Sequence, residues 1–549
     1  MNGFDYIVVG AGAAGCVLAN RLSADPAVRV ALVEAGPSDR RFPVNWKTTL
    51  PVGNIFLLPH ARYNWQHQFS GGPGVNNRQI PCPRGRLVGG STSVNGTVYM
   101  RGHRSDYDDW AAQGNAGWGY DEVLPWFKRH ENHHRGASAW HGADGALDVQ
   151  LPAANHPLAH ALVDAAVQAG FARNPDFNGA QQDGFGLFEL NQRRGVRLSS
   201  SRAFLHPVLQ RPNLTVFADT LVERITLQGR RATGVVVRRD GVREQLTAST
   251  EVVLSAGTVN SPQLLMLSGI GAAASLQRHG LQTLHELPGV GANLQDHPTV
   301  SVAMDNPGAE SYALSWRAAP QVAMAPLRYL FGRRGMLASN AAEAGGFLHS
   351  RPGLDRPDLQ MTFMVCLKDN PRTLPRRHGF VLHVALLRPA TRGSLELASA
   401  DPADRPVMRP RFLEDPADAM TLVRGLREAR RVMAMPALAR FAGSELSPGR
   451  PVQDDAGLLA FVRANAATTY HPVGTCRMGP AGQAMAVVDP QLRVHGLDGL
   501  RVADASVMPD LIGGNTSAPA MMIGERAADF MLRSAQAAAP TTRRSTVVA

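Results

Sequence analysis

The chain has 549 residues, 44% of them hydrophobic, which is enough for two or more domains with cores of their own. Its net charge of +11 raises nucleic acid or an anionic membrane surface as a partner. The arginines are scattered, and they form neither a basic stripe nor a recognised nucleic-acid motif. We therefore expect a solvated basic surface and no nucleic-acid partner, and we leave weak peripheral contact with a membrane open.

Targeting segments and cysteines restrict the compartment. No apolar run reaches the roughly 18 residues of a membrane-spanning helix, and "MNGFDYIVVG" lacks the basic region and longer apolar core of a secretory signal. Cys16, Cys82, Cys366 and Cys476 form neither a disulfide framework nor a zinc-binding pattern. We expect a cytoplasmic protein with reduced thiols, with peripheral attachment at the inner face of the membrane left open.

The N-terminus carries the first functional motif. "FDYIVVGAGAAGCVLANRL" predicts a buried strand, a glycine-rich turn and a helix, and "VRVALVEAG" predicts a second strand that ends in Glu34. Gly10 allows the tight turn, Gly12 lets a pyrophosphate approach the backbone, and Gly15 lets the helix pack on the strand. The helix N-terminus supplies amide donors to phosphates, while Glu34 can accept hydrogen bonds from ribose hydroxyls. The sequence therefore predicts a dinucleotide site.

Two later segments extend the same architecture. "EVVLSAGTVNSPQLLMLSGIG" predicts a strand, a turn at Ala256 and Gly257, and a helix that begins near Ser261. "LRVADASVMPD" predicts a strand that Asp504 closes. These pieces are typical of one parallel sheet although they lie far apart in the chain, so the dinucleotide domain is predicted to be discontinuous.

The remaining segments add antiparallel strands, and those beyond residue 301 predict a second domain. Alternating apolar residues in 213–227 and 232–248 indicate antiparallel strands, and beyond residue 301 "HGFVLHVALL" reads as a strand and "DAMTLVRGLREARRVM" as a helix. We predict an α/β protein in which a Rossmann-like domain is joined to a substrate domain built on an antiparallel sheet flanked by helices. The predicted boundaries are 1–155, 195–300 and 465–535 for the dinucleotide domain, 156–194 and 301–464 for the substrate domain, and 536–549 for a flexible tail.

The stretch "TTYHPVGTCRMG", residues 468–479, allows three interpretations. His471 and Cys476 could be metal ligands, Cys476 could be a nucleophile, or His471 could be a general base. Structural zinc needs about four ligands, and no matching second cluster accompanies these two. The other patch rich in histidine, "HENHH" at 130–134, is interpreted as a solvated helix end, so no metal site is expected. A nucleophilic thiol would need an activating group and a substrate site beside it, so these residues alone leave the general base open beside the other two interpretations.

Four motifs together carry a family resemblance. "GRLVGGSTSVNG", "GTVNSPQLLMLSGIG", "HPVGTCRMG" and "VADASVMPDLIGGNTSAP" resemble the glucose–methanol–choline (GMC) oxidoreductase family, in the family's order, within a likeness that runs from about residue 4 to 533. The resemblance implies FAD, a flavin domain covered by a substrate domain, and oxidation of an alcohol to a carbonyl. It also implies that His471 is the general base and Asn515 its partner.

The resemblance and the motifs together predict the binding residues. The substrate is expected to contact Tyr470 and Glu343. The expected cofactor contacts are Gly10, Gly12, Ala13, Ala14, Gly15, Glu34, Ala35, Trp65, Gly90, Asn95, Gly96, Thr97, Val98, Val222, Ala256, Asp504, Ala505, Asn515 and Thr516.

The chemistry of these residue types agrees with the implied roles. A neutral imidazole has a pKa near 6.5, close to working pH, and is suited to take the hydroxyl proton while hydride leaves the carbinol carbon. The amide of Asn515 can hydrogen-bond the same oxygen and fix its position. Thr516 or Ser517 is a candidate cap for a following helix, with Pro519 in its first turn.

The sequence also bears on cofactor attachment and on the substrate. Some family members attach FAD through a histidine that here is Val94, before Asn95, so noncovalent FAD is expected. Choline requires an aromatic cage and a carboxylate, which Tyr470 and Glu343 do not amount to. We expect apolar residues of the second domain, Met361, Phe363 and Leu386 among them, to form a pocket for apolar alcohols.

We therefore expect a dehydrogenase of primary alcohols. A choline dehydrogenase is the main alternative, and an alcohol oxidase using dioxygen, a hydroxynitrile lyase of the same fold and a flavoprotein without enzymatic activity remain open. Dioxygen, quinone and other electron acceptors are not separated by the sequence, and neither are the possible oligomeric states.

Overall fold

The computed structural model of the chain describes residues 3–367 and 375–538. Its α-helices, in chain order, are α1 Ala13–Leu22, α2 Val44–Thr49, α3 Asn54–Leu57, α4 Arg104–Ala112, α5 Tyr120–His130, α6 Pro157–Gln168, α7 Gly257–Leu267, α8 Ala273–Arg278, α9 Ala319–Gly332, α10 Pro416–Met433, α11 Pro436–Ala439, α12 Asp455–Asn465 and α13 Ser517–Ala538. Shorter helical turns are Pro51–Gly53, Pro73–Val75, Gly90–Ser93, Ser201–Leu205, His206–Val208 and Ala505–Val507.

The strands of the first half of the chain are β1 Gly3–Val9, β2 Val30–Val33, β3 His67–Ser70, β4 Gln79–Cys82, β5 Glu131–His133, β6 Leu147–Val149, β7 Gly184–Leu187, β8 Gln192–Arg193, β9 Val196–Arg197, β10 Leu214–Phe217, β11 Thr220–Gln228, β12 Arg231–Arg239 and β13 Val242–Leu254. Those of the second half are β14 Ile270–Gly271, β15 His285–Glu286, β16 Ala292–Leu294, β17 Pro298–Asp305, β18 Ala344–Leu348, β19 Leu359–Met364, β20 Gly379–Leu386, β21 Gly393–Glu396, β22 Val407–Arg409, β23 Glu445–Ser447, β24 Ala467–Thr468 and β25 Leu500–Val502.

The first large sheet unites segments that are far apart in the chain. Strands β10, β2, β1, β13 and β25 run parallel in that order, and β12 and β11 continue the sheet antiparallel beyond β13. Val9 pairs with Leu254, and Leu254 with Val502. The apolar runs of β1 and β2 are buried, as strands covered on both faces require. This confirms the predicted α/β fold and its discontinuous parallel sheet.

The second large sheet is antiparallel and places one face toward α10. Its order is β23, β17, β20, β19, β18 and β7, with β24 also paired to β17. Side chains alternate across each strand, so Met361 and Phe363 of β19 pack in the core on the face opposite that of Gln360. The predicted strand in "HGFVLHVALL" is β20, and the predicted helix in "DAMTLVRGLREARRVM" is α10.

A third sheet of five strands was not predicted. It joins β16, β21, β22, β3 and β4, and it therefore combines strands from both sets of predicted domain segments. In addition, β17 begins at Pro298 and β24 pairs with it, so the second sheet extends a few residues past both predicted boundaries near 300 and 465. The division into domains stays a prediction. Most of the predicted tail, residues 539–549, lies outside the described residues, and 536–538 belong to α13.

One helix begins earlier than its sequence suggests. We expected α7 to start near Ser261, but it starts at Gly257. The carboxylate of Asp504 accepts hydrogen bonds from Gly257 N, at 2.9 Å, and from the hydroxyl of Ser261, at 2.6 Å. A side chain that is distant in sequence thus satisfies the first turn, which local patterning could not indicate. Among the described residues, no helix is both long and apolar enough to span a bilayer.

Candidate active site

A cavity opens where the parallel strands of the first sheet end. Val9, Val33, Ser255 and Asp504 line it at or just beyond the ends of β1, β2, β13 and β25. The carboxyl ends of parallel strands are the usual binding edge of such a sheet. The cavity continues to His471 and Asn515 and is lined by every residue we expected to contact a cofactor, with the exception of Gly15.

The glycine-rich loop owes its shape to close backbone contacts. Gly10 has φ +100°, and a Cβ there would lie 2.5 Å from the carbonyl oxygen of Ser255. A Cβ on Gly15 would lie 1.9 Å from the carbonyl oxygen of Gly10, so Gly15 serves the packing of helix on strand rather than the cavity wall. From the second glycine segment, a Cβ on Gly90 would lie 2.8 Å from Cα of Gly12. The two segments therefore form one backbone-lined wall.

Glu34 stabilises this loop from inside the cavity. Its carboxylate is buried and accepts hydrogen bonds from Ala11 N, at 3.1 Å, and from Gly36 N, at 2.9 Å. Burial raises the pKa of Glu34 to about 7, against the opposing effect of these two amides. The carboxylate thus fixes the loop, and its remaining lone pairs are the ones available to a ribose.

The cavity residues fit a dinucleotide such as FAD. The start of α1 lines the cavity, and its N-cap residue, Gly12, provides no side-chain cap, so the first amides of the helix are left for an anion. The buried Ser517 hydroxyl at the start of α13 also lines the cavity and has no partner within the described chain. Unused donors of both kinds suit a phosphate-containing ligand with a polar ring system.

Asp296, on the loop before β17, positions His471. One carboxylate oxygen accepts a hydrogen bond of 2.8 Å from His471 N and another of 2.8 Å from His297 N. The other oxygen accepts one from the hydroxyl of Thr468 in β24. This buried carboxyl therefore joins the two histidine-bearing segments, and burial raises its pKa to about 6.

A chain of hydrogen bonds selects one tautomer of His471. His297 Nε2 lies 3.1 Å from the carbonyl oxygen of Ile512, to which it must donate, so His297 Nδ1 is an acceptor in the neutral ring. That atom lies 3.1 Å from His471 Nδ1, which therefore carries the proton. At the other side of the ring, Asn515 Nδ2 donates to His471 Nε2 at 3.1 Å, and Gln360 Nε2 donates to Asn515 Oδ1 at 3.2 Å. The Nε2 lone pair of His471 is thus the basic site beside the cavity, and the Asn515 amide is its hydrogen-bond donor.

Both histidines are held neutral. Burial first, and then the guanidinium of Arg84, lower the pKa of His471 to about 3. Burial first, and then the nearby His471 and Arg388, hold the pKa of His297 well below its usual range. Arg84 lines the same cavity and donates to the carbonyl oxygen of Tyr470 at 2.7 Å, so it places a positive charge near the basic nitrogen.

Two of the interpretations of "TTYHPVGTCRMG" conflict with this geometry. Cys476 is fully buried, its backbone N donates to the carbonyl oxygen of Ser506, and its side chain does not line the cavity. Burial holds the pKa of its thiol well above the usual range, which disfavours a thiolate nucleophile or metal ligand. His471 therefore remains the reactive candidate in this segment.

Tyr470 lines the cavity, but Glu343 does not, and this differs from the expected substrate contacts. Glu343 is buried, and its carboxylate accepts hydrogen bonds from the hydroxyl of Ser339 and from His156 N, at 2.5 and 2.9 Å. In the structure, Glu343 therefore holds Ser339 and His156 together through its carboxylate.

The expected apolar pocket is also absent from this cavity. Met361, Phe363 and Leu386 are buried in the core and do not line it. The correction follows from the strand period, because the side chain of β19 that reaches Asn515 is the intervening Gln360.

The sequence suggested that the "HENHH" segment is a solvated helix end, but most of it is buried. His130 ends α5 and is buried with Glu131 and His133. His133, His134 and Glu189 bring ligand-type atoms within 4.8 Å of one another. Because Arg135 N donates to His133 Nδ1 at 3.3 Å, the ring proton lies on Nε2, facing the Glu189 carboxylate at 3.1 Å.

Sequence reasoning missed four site residues, namely Arg84, Asp296, His297 and Gln360. The run "NLQDHP" at 293–298 carried a signal for two of them, because two adjacent ionisable residues stand directly before β17 there. Arg84 and Gln360 carried none, since each reaches the site from a separate sheet.

Comparisons with known proteins agree with this arrangement. Family models described as GMC oxidoreductase match residues 4–299 and 389–524. The chain is 43% identical to an alcohol dehydrogenase [acceptor] of Pseudomonas putida over 96% of each chain. It is 42% identical to the mitochondrial choline dehydrogenase of Mus musculus, over 96% of this chain and 89% of that one.

A solved structure is similar throughout. It is a variant of formate oxidase from Aspergillus oryzae, made to study the modification of its FAD. It has a TM-score of 0.87 and 26% identity, and the match covers 98% of this chain and 99% of that one.

Proposed function

The chain belongs to the GMC oxidoreductase family, whose FAD-dependent enzymes act on CH–OH groups, and we propose that this member oxidises a neutral primary alcohol to its aldehyde. The observation that carries the proposal is the Nε2 lone pair of His471, held beside the cavity by one tautomer and accompanied by the Asn515 amide.

The proposed reaction begins with the hydroxyl proton. His471 Nε2 takes this proton, while Asn515 Nδ2 donates to the alcohol oxygen and fixes its position. The guanidinium of Arg84 stabilises the negative charge that develops on that oxygen. A bound FAD would supply the acceptor for the hydride that leaves the carbinol carbon. The alcohol thereby loses one proton and one hydride and becomes the aldehyde.

The residues that would hold FAD divide between its two ends. The first amides of α1 and the backbone at Gly12 would bind the pyrophosphate, and the Glu34 carboxylate would accept from the ribose. The segment from Gly90 to Val98, with Ser517, would hold the ring system.

Attachment of FAD is proposed to be noncovalent, because the position before Asn95 holds Val94. This side chain is buried in an apolar cluster with Val44, Leu57, Tyr63 and Leu87. We expect acid precipitation to release the flavin into the supernatant; flavin left in the pellet would contradict this.

A neutral substrate is favoured over choline by the charges in the cavity. Of the carboxylates, Glu34 and Asp504 line it, and both are engaged by backbone amides at the cofactor end. Glu343 is enclosed elsewhere, and Arg84 would repel a quaternary ammonium near His471. Trp65 and Tyr470 are the aromatic rings of the described wall apart from His471, which falls short of an aromatic cage.

The test is anaerobic reduction of the bound flavin by a panel of alcohols and choline, followed by reoxidation with dioxygen or a quinone. We expect primary aliphatic or aromatic alcohols to bleach the flavin faster than choline. Preference for choline over every neutral alcohol would overturn the substrate assignment. The reoxidation step separates a dehydrogenase, which reoxidises with quinone, from an oxidase, which reoxidises with dioxygen.

A further inference from the structure

Exposed apolar side chains concentrate in one segment, residues 311–342, which links β17 to β18 and contains α9. Trp316 is 83% exposed and Phe331 is 88% exposed. Large apolar side chains grouped on a surface in this way are typical of an interaction site. Met324, Leu327 and Leu330 of α9 are exposed with them. We call these five side chains and the arginines named below the α9 face.

Only a narrow strip of α9 packs on the protein. Ala325 and Tyr329, one turn apart, are its buried residues, and Tyr329 lies in a small apolar cluster with Leu50 and Ala338. A surface helix normally buries its apolar stripe and exposes polar residues. Here the strip that packs is the smaller part, and the remaining apolar side chains face outward.

The charge of the segment has one sign. Arg317, Arg328, Arg333 and Arg334 are exposed, and residues 311–342 contain no aspartate or glutamate. Arg328 and Arg334 form no ion pair with any described residue. Residues 311–342 therefore carry four exposed arginines and no carboxylate, while Glu310, which is exposed, and Glu343, which is buried, flank them.

A second exposed group adjoins the first through the packing of Leu50 on Tyr329. Phe42 is exposed, and Trp46 of α2 is partly exposed with the Lys47 ammonium 5.7 Å from its ring. Aromatic rings and a positive charge thus also occur at α2, whose C-cap residue Leu50 packs on Tyr329 of α9.

We propose that the α9 face docks the protein on the surface of a bilayer that contains anionic lipids. Aromatic and aliphatic side chains gain by leaving water for the boundary between headgroups and acyl chains, and arginines at the same level gain by pairing with lipid phosphates. The uncompensated positive charge favours an anionic surface over a second copy of this chain, which would bring like charges together. Docking on a bilayer would not require the proposed reaction.

The experiment measures cosedimentation of the FAD-loaded protein with phosphatidylcholine vesicles, with and without phosphatidylglycerol. We expect binding to the anionic vesicles that weakens with added salt. The double variant Trp316→Ser with Phe331→Ser should lower the bound-to-free ratio by at least about tenfold, because two large apolar side chains no longer leave water. Arg328→Gln with Arg334→Gln should lower the bound-to-free ratio by about tenfold on anionic vesicles and leave binding to neutral vesicles unchanged.

The matched control is Val242→Ser with Leu284→Ser, which removes apolar side chains that are 58% and 56% exposed at other places on the surface. We expect its binding to equal that of the parent protein, and we expect all variants to oxidise a water-soluble alcohol at the parent rate. Equal vesicle binding by the Trp316 and Phe331 variant would overturn the proposal. So would a parent protein that ignores vesicles but forms a dimer that this variant abolishes, because the face would then be an interface between copies.

Discussion

The imidazole of His471 shows how single residues determine the proposed chemistry. Its Nδ1 proton faces His297, its Nε2 lone pair faces Asn515, and burial with Arg84 keeps the ring neutral with a pKa of about 3. A base with that pKa is unprotonated at neutral pH. The protein thus prepares the acceptor nitrogen before substrate arrives, in the way that oriented catalytic histidines generally require.

His297 is a positioning residue in this account, and its replacement should disturb the tautomer. We expect His297→Ala to slow flavin reduction by about 10–100-fold, because His471 can then place its proton on either nitrogen. His297→Gln offers both an acceptor and a donor and should restore part of the rate.

The pH profile separates positioning from a merely structural effect. In the parent protein the rate of flavin reduction should not change with pH near pH 6.5, because the pKa of His471 lies at about 3. A parent profile that falls below pH 6.5, or a His297→Ala variant at the parental rate, would contradict this role.

At the scale of elements, the turn from β1 into α1 depends on glycines, because a side chain would not fit between the backbone segments that meet there. Gly15→Ala would place a Cβ 1.9 Å from the carbonyl oxygen of Gly10, and backbone on both sides must move. We expect a loss of about 1–3 kcal/mol in unfolding free energy and a lower content of retained flavin, measured by thermal unfolding and by absorbance.

Gly332→Ala is the matched control for this substitution, since nothing lies within 4 Å of a Cβ there. Its unfolding free energy should stay within about 0.5 kcal/mol of the parent. A Gly15→Ala protein with parental stability and full flavin would show that the turn tolerates a side chain.

The sequence predicted these elements unevenly, for physical reasons. The strand, turn and helix from β1 to α1 follow from local apolar periodicity and glycine spacing, and they form as predicted. The predicted start of α7 was wrong because Asp504, about 250 residues away in the chain, accepts hydrogen bonds from the first turn of the helix. Phe363 lies in the core, and Glu343 is enclosed by Ser339 and His156, so neither lines the cavity and their contact with substrate stays a prediction. For Phe363, a strand pattern shows alternation but not which face meets the cavity.

At the scale of the whole molecule, the site is assembled from all three large sheets. The first sheet supplies the cavity edge, the second supplies Gln360 through β19, and Arg84 follows β4 of the third. No stretch of sequence could indicate this convergence, because it depends on long-range strand pairing. The family resemblance predicted the outcome at His471 and Asn515 without predicting the contacts that hold them.

A buried cluster of charges around Arg101 is expected to make the stability of the fold depend on pH. Arg101 pairs with Glu131 at 2.6 Å, and both are buried. His141 lies 2.8 Å from Asp176 and 3.3 Å from Glu131; although burial opposes protonation, these carboxylates raise its pKa to about 9. Its protonated form therefore stabilises the fold fully below about pH 6.5, the usual value in an unfolded chain, and this contribution is lost as pH rises through 9.

We expect His141→Gln to remove that dependence. The difference in unfolding free energy between parent and variant should shrink by about 1–2 kcal/mol between pH 6 and pH 9.5. Chemical denaturation at a series of pH values measures it. A difference that stays constant or grows with pH would show that His141 is neutral in the fold.

The measurement that tests the central claim most directly is anaerobic flavin reduction by a primary alcohol in His471→Ala. We expect the variant to retain its flavin and fold but to reduce the flavin about 10²–10⁴-fold more slowly, with partial recovery at high pH, where solvent removes the hydroxyl proton. Cys476→Ser should react at the parental rate, because the thiol is buried away from the cavity. A folded, flavin-loaded His471→Ala protein that reduces its flavin at the parental rate would contradict the account.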